Sequence, residues 1–202
     1  RVVIRGARPP FPIDLIPVET GTIIEEHDLT VTAFPVNHRG PDCFGFLFQE
    51  AGHRPFLSAQ AEALGIPQGP WRRDLVQGLP ATLPNGRVVQ PDEVLGHFEP
   101  GTRLTIVGDT GDTESILPYC QDADGLVIEA TYLEEEREMA RQFAHLTAAE
   151  AARLAKNANV NQLFLTHISR RYRDRDVENE AREIFSNSIL VHDFDTCQVK
   201  RD

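Results

Sequence analysis

Cysteine is scarce in this chain. Cys43, Cys120 and Cys197 are the only three in 202 residues, far apart and with no C-x-x-C among them. That excludes a zinc ribbon or a disulfide framework and makes a reducing cytoplasm the simplest setting. Apolar runs of the length a membrane span needs are also missing. The opening "RVVIRGARPPFPIDL" lacks the apolar stretch of a signal peptide, and its "VVI" reads as a strand with nothing before it to pair with, as in a chain met partway through a domain. An excess of positive charge is absent too. Twenty Lys and Arg stand against 31 Asp and Glu, a net charge of −11, which excludes a generic nucleic-acid coat. Local basic patches remain, at "WRRDL" (71 to 75) and "SRRYRDR" (169 to 175).

What is present alternates. "GTIIEEH", "LTVTAFPV", "FGFLFQ", "RLTIVGD", "GLVIEA", "NQLFLTH", "SILV" and "DTCQVK" read as strands by their β-branched and aromatic content between turn residues. Helical patterns fall among the later ones: "LEEEREMARQF", "DVENEAREIF" and, most clearly, "TAAEAARLAKNA", where Thr147 and Glu150 have capping-box spacing. Strands first, then strands alternating with helices, predict an α/β or α+β sheet covered by helices. Residues 57 to 95 break this rhythm. They hold five of the fourteen prolines and form a connection long enough to be a functional excursion, an arm leaving the core between "FGFLFQ" and "RLTIVGD".

Three strands share one ending. "LTVTAFPVNH" closes on His38, "RLTIVGD" on Asp109 and "NQLFLTH" on His167. Each places an imidazole or a carboxylate just past a buried strand, where a rigid sheet can converge side chains on one ion. These are ligand types for zinc, manganese or iron, and the carboxylate has the option of bridging two ions. Taken singly, each is more often a cap or a turn residue; the shared pattern argues for a site. His145 lies just before the Thr147 cap, and Glu129 at a strand end is placed to orient it. On spacing alone, a solvent-facing histidine and a surface cap serve equally well. His27, His53, His97 and His192 have no comparable context, and Asp112 reads as an N-cap.

In this order, "FPVNH", "IVGDT", "IEATY", "AHLTAAEAA" and "LTHISRRY" resemble the successive motifs of ribonuclease Z, the tRNA 3′-processing endonuclease of the metallo-β-lactamase superfamily. The resemblance runs from about Gly21 to the C-terminus. Its narrowest parts are "LTHISRRY" and the segment "ALGIPQGPWRRDL…NGRVVQPDEVLG", which is similar to the exosite arm that grips tRNA. It implies an α/β fold, the αββα sandwich, incomplete at the N-terminus over residues 1–202, with the arm at 57–95 inserted. It implies a site for two zinc ions with His38, Asp109 and His167 as ligands, Asp109 bridging. His145 would stand near the scissile phosphate with Glu129 behind it. Gly69 and Pro70 match the arm's tip, Arg72 and Arg73 are candidate phosphate contacts beside it, and Arg171 matches an arginine near the tRNA 3′ end. The family's H-x-H-x-D-H run does not occur in the chain.

The function so implied is zinc-dependent removal of the 3′ trailer from precursor tRNA, by a cytoplasmic protein that is commonly a homodimer. The rivals are a small phosphodiesterase or arylsulfatase-like hydrolase of the same fold, and a catalytically inactive tRNA-binding or scaffold protein. The arm separates the first rival from the main reading, and metal content separates the second.

Overall fold

The structure, a computed structural model, describes residues 11–201. The "VVI" strand expected near the start lies outside the described residues. Among the described residues nine strands form: β1 (Gly21–Glu25), β2 (Leu29–Pro35), β3 (Phe44–Glu50), β4 (Ala81–Thr82), β5 (Val88–Val89), β6 (Arg103–Ile106), β7 (Gly125–Glu129), β8 (Gln162–Thr166) and β9 (Ser188–Leu190). The helices are α1 (Ser58–Ala63), α2 (Pro70–Val76), α3 (Leu117–Cys120), α4 (Arg137–Phe143), α5 (Ala148–Asn157) and α6 (Asp174–Ile184).

Seven strands make one mixed sheet in the order β1-β2-β3-β6-β7-β8-β9. The first three pair antiparallel and β3 pairs antiparallel with β6, whereas β6 through β9 are mutually parallel. It follows that β2, β6, β7, β8 and β9 all point the same way and end at one edge. Strands β7 and β8 are central, and "LVIE" and "LFLT" are accordingly almost continuously apolar, as strands covered on both faces must be.

On one face, α3, α5 and α6 close a core of Phe34, Leu47, Val107, Ile116, Leu126, Ile128, Leu163 and Leu165. Helix α5 approaches closely because its buried positions are Ala148, Ala149, Ala151, Ala152, Leu154 and Ala155, small residues that also favour helix. Its start is fixed by the capping box, with Thr147 accepting from the Glu150 N–H and the Glu150 side chain accepting from Thr147 N–H. Helix α6 buries Val177 and Ala181, one turn apart on one side.

Two local expectations change. "DTCQVK" does not pair as a strand. It crosses the opposite face of the sheet, with Val199 against Leu104 and Gly125. A Cβ at Gly125 would stand 2.9 Å from Val199 Cγ2, so glycine makes room for the crossing. Residues 57 to 95, irregular by composition, form α1, α2, a β4–β5 hairpin and a short 3-10 turn around their own apolar cluster of Ala61, Ile66, Leu75, Ala81, Leu83, Val89 and Val94. No helix among the described residues is long and apolar enough to cross a membrane.

Candidate metal centre

The common edge where β2, β6, β7 and β8 end gathers the predicted side chains. His38 follows β2 by three residues, Asp109 follows β6 by three, and His167 follows β8 directly. Asp109 sits between the two histidines. Its Oδ2 is 3.7 Å from His38 Nε2 and its Oδ1 is 3.4 Å from His167 Nδ1. Among the described residues no Lys or Arg pairs with it. His145 stands between the other two imidazoles, its ring centroid 5.0 Å from that of His38 and 5.3 Å from that of His167. Ligand-type atoms converge in two overlapping groups, His38–Asp109–His145 and Glu129–His145–His167, each within 4.8 Å.

Backbone geometry sets this convergence. Ala144, directly before His145, takes the left-handed conformation (φ 56°) at the end of α4, and its carbonyl accepts a hydrogen bond of 2.9 Å from His38 Nδ1. A carbonyl can only accept, so Nδ1 of His38 carries the proton and Nε2 is left as the lone-pair atom facing Asp109. Gly111 is packed so tightly on this turn that a Cβ would lie 2.8 Å from Ala144 Cα. His167 is also left-handed (φ 54°), unusual for a residue with a side chain and a form of strain found at functional sites.

Behind the row of imidazoles lies Glu129, with no solvent exposure. It accepts from Thr110 N–H at 2.7 Å and from His145 Nδ1 at 2.9 Å. The hydroxyl of Thr131 reaches Glu129 Oε2 at 2.5 Å and His167 Nδ1 at 2.8 Å. Thr131 was not singled out in the sequence. Its signal is there in "IEATY": residues two apart near a strand end share a side, so Thr131 follows Glu129 into the site.

The donor set fits zinc in kind. Two donors each about 2.0–2.1 Å from a tetrahedral zinc stand roughly 3.3 Å apart, a few tenths of an ångström inside the 3.7 Å between His38 Nε2 and Asp109 Oδ2. His38 is already in a ligating tautomer. In number, His38, Asp109 and His167 supply only part of the roughly eight bonds that two four-coordinate ions take.

The remaining predicted residues lie elsewhere. Gly69 (φ 128°, ψ −149°) is in a region open essentially to glycine and precedes α2, whose first residue is Pro70. Arg72 turns inward, donating to the Ile66 carbonyl at 2.9 Å and lying 5.7 Å over the Phe56 ring, while Arg73 is exposed. Arg171 donates to Glu136 at 3.1 Å. Asp112 caps a turn, accepting from Glu114 N–H at 2.9 Å, ahead of α3 rather than at its start. His192 pairs with Asp174 and His53 with Glu99 on the surface.

No family model matches the chain. Among curated proteins it is 45% identical over 190 residues to ribonuclease Z of Bradyrhizobium diazoefficiens, covering 94% of this chain and 63% of that protein. Ribonuclease Z of Gemmatimonas aurantiaca is 39% identical over 194 residues, covering 94% and 62%. The chain thus spans somewhat less than two thirds of the length of these relatives. Among solved structures, human tRNase Z, short form, superposes with a TM-score of 0.52 at 21% identity, covering 89% of this chain and 47% of that one. The metallo-β-lactamase fold protein YhfI from Bacillus subtilis gives 0.54 at 16%, covering 89% and 52%. The chain is a homologue of ribonuclease Z over nearly all of its own length and carries a metallo-β-lactamase-like mixed α/β fold.

Proposed function

We propose that the chain works in a zinc-dependent endoribonuclease that removes the 3′ trailer from precursor tRNA, leaving a 3′-hydroxyl on the tRNA. The observation that carries this reading is His145, held from behind by buried Glu129 and set between His38 and His167 beside Asp109. In this reading His38, Asp109 and His167 would hold zinc, Asp109 being the ligand that two ions would share. Bound zinc supplies a Lewis acid that lowers the pKa of water and draws charge from a phosphate oxygen.

The chain's own residues do the rest. Glu129 accepts from His145 Nδ1, which fixes the ring and leaves Nε2 as its free nitrogen. His145 can then hold a proton at Nε2 for the departing 3′ oxygen, the step at which a general acid helps most. Residues 57–95 form the arm that engages the body of the tRNA. Gly69 and Pro70 shape its tip and Arg73 presents a cation to phosphate. Arg72 supports the tip through Ile66 and Phe56. Arg171 meets the 3′ end once it exchanges Glu136 for phosphate. Such contacts bind by shape and charge and make affinity salt-dependent. A cytoplasmic homodimer is the assembly in which we place this activity.

The test is to delete residues 57–95 from the purified full-length gene product, joining the ends with a short linker. Loss of precursor tRNA cleavage with retained hydrolysis of a small phosphodiester supports the arm's role. Retained cleavage of precursor tRNA would contradict the arm's role, and hydrolysis of the small phosphodiester with no cleavage of precursor tRNA by the undeleted protein would favour a small-substrate hydrolase instead.

A further inference from the structure

We propose that Thr131 is a positioning residue through which Glu129 sets the tautomer of His167 as well as that of His145. The inference rests on the metal-centre reading of His167, and it follows from counting protons around one hydroxyl.

Thr131 Oγ1 has four neighbours: Glu129 Oε2 at 2.5 Å, His167 Nδ1 at 2.8 Å, the His167 carbonyl at 3.1 Å and, at 3.4 Å, His145 Nδ1, which already donates to Glu129. A hydroxyl has one hydrogen to give and two lone pairs to receive. Glu129 is fully buried and already accepts from the Thr110 N–H and from His145 Nδ1, so its carboxylate is the acceptor at every contact. Charge-assisted hydrogen bonds are shorter and stronger than neutral ones, so the hydroxyl proton goes to Glu129 Oε2 rather than to the more distant carbonyl. Oγ1 then faces His167 Nδ1 with a lone pair, and Nδ1 must carry the proton. Nε2 of His167 is thereby the basic nitrogen. The relay reads His167 Nδ1–H to Thr131 Oγ1–H to Glu129, with His145 Nδ1–H arriving from the other side.

One carboxylate therefore governs two rings of different duty, one directly and one through a hydroxyl. The strained backbone of His167 brings its ring to the hydroxyl, and the Thr131 carbonyl stays within the main-chain lattice, accepting from Ser169 N–H at 3.3 Å. Removing the hydroxyl while keeping the shape leaves Nδ1 only the more distant Asp109 Oδ1, at 3.4 Å, and loosens the hold on the tautomer.

The experiment is 15N NMR of the histidine rings in metal-freed protein, alongside zinc affinity by competition with a fluorescent chelator. In the wild type, His167 should be protonated at Nδ1. In Thr131→Val its two ring nitrogens should move toward averaged shifts, with zinc binding weakened about 10-fold or more, the usual scale for losing a group behind a ligand. Thr131→Ser should restore both. A His167 protonated at Nε2 in the wild type overturns the relay, and this needs no variant to fold. A serine variant as impaired as valine overturns it as well, because the methyl group would then be what matters. If wild-type protein fails to cleave precursor tRNA, the functional reading falls while the ring signals still judge Thr131.

Discussion

His145 donates from Nδ1 to Glu129 at 2.9 Å, and the carboxylate that receives it has no contact with solvent. A buried carboxylate is costly unless its lone pairs are filled, and here they are filled by a backbone N–H, a hydroxyl and an imidazole. This geometry makes His145 an oriented imidazole rather than a surface histidine.

Glu129→Gln keeps the shape and removes the charge that orients His145. The expected outcome is a fall in kcat on precursor tRNA of about 10²- to 10⁴-fold, the usual worth of general acid–base catalysis, with a smaller change in KM. Steady-state kinetics on refoldable variant protein checks it.

Gly111→Ala tests the turn that carries His145. Its Cβ would meet Ala144 Cα at 2.8 Å, and Ala144 also holds His38 through its carbonyl. Destabilisation of about 1–3 kcal/mol is expected from overpacking against backbone. A lower midpoint in denaturant melts, together with weaker zinc binding, would show that turn and site move together.

Glu180 links the loop after β7 to the start of α5. It accepts from Glu134 N–H and Ala149 N–H, both at 3.0 Å. Burial pushes its carboxyl above the ordinary range, opposed by the Ala149 hydrogen bond and Arg153 and reinforced by Glu135 and Glu183. A raised folded pKa means the contribution to stability is full below the unfolded value and fades as pH rises through the folded one. Glu180→Gln retains an acceptor oxygen and should match or exceed wild-type stability at neutral pH, the difference closing near pH 4. Glu180→Ala orphans two N–H groups and should cost about 1–3 kcal/mol. Melts at several pH values distinguish the two.

The cysteines should separate by reactivity. Burial pushes the Cys120 thiol up to about 12, only partly opposed by Arg103, whereas Cys197 is exposed and Cys43 intermediate. Alkylation near pH 8 should label Cys197 first, then Cys43, and Cys120 only on unfolding. Because the folded thiol titrates above the unfolded one, its share of stability is lost as pH climbs from about 9 toward 12.

Strand-end residues were the legible part of this chain. His38, Asp109 and His167 stand out because each follows an apolar run, and parallel strands must bring such ends to one edge. Thr131 escaped because a lone Thr after "IEA" matches any strand end, and only the distance to His167, 36 positions on, gives it meaning. The cluster of Ile66, Leu75 and Val89 was hidden because helices of six and seven residues are too short to show a period. "DTCQVK" has strand composition yet no edge to join, since its valine is used against Gly125 on the sheet face. Arg72 and Arg73 are neighbours of one type in sequence, and only the fold turns one inward and the other out.

The most direct measurement is cleavage of a precursor tRNA with a defined 3′ trailer by the full-length gene product, stripped of metal and then given zinc. The account predicts no cleavage after stripping, recovery with zinc, a product ending in a 3′-hydroxyl at the trailer junction, and loss of recovery in His145→Ala. Zinc bound by His38, Asp109 and His167 with the precursor left intact would contradict it.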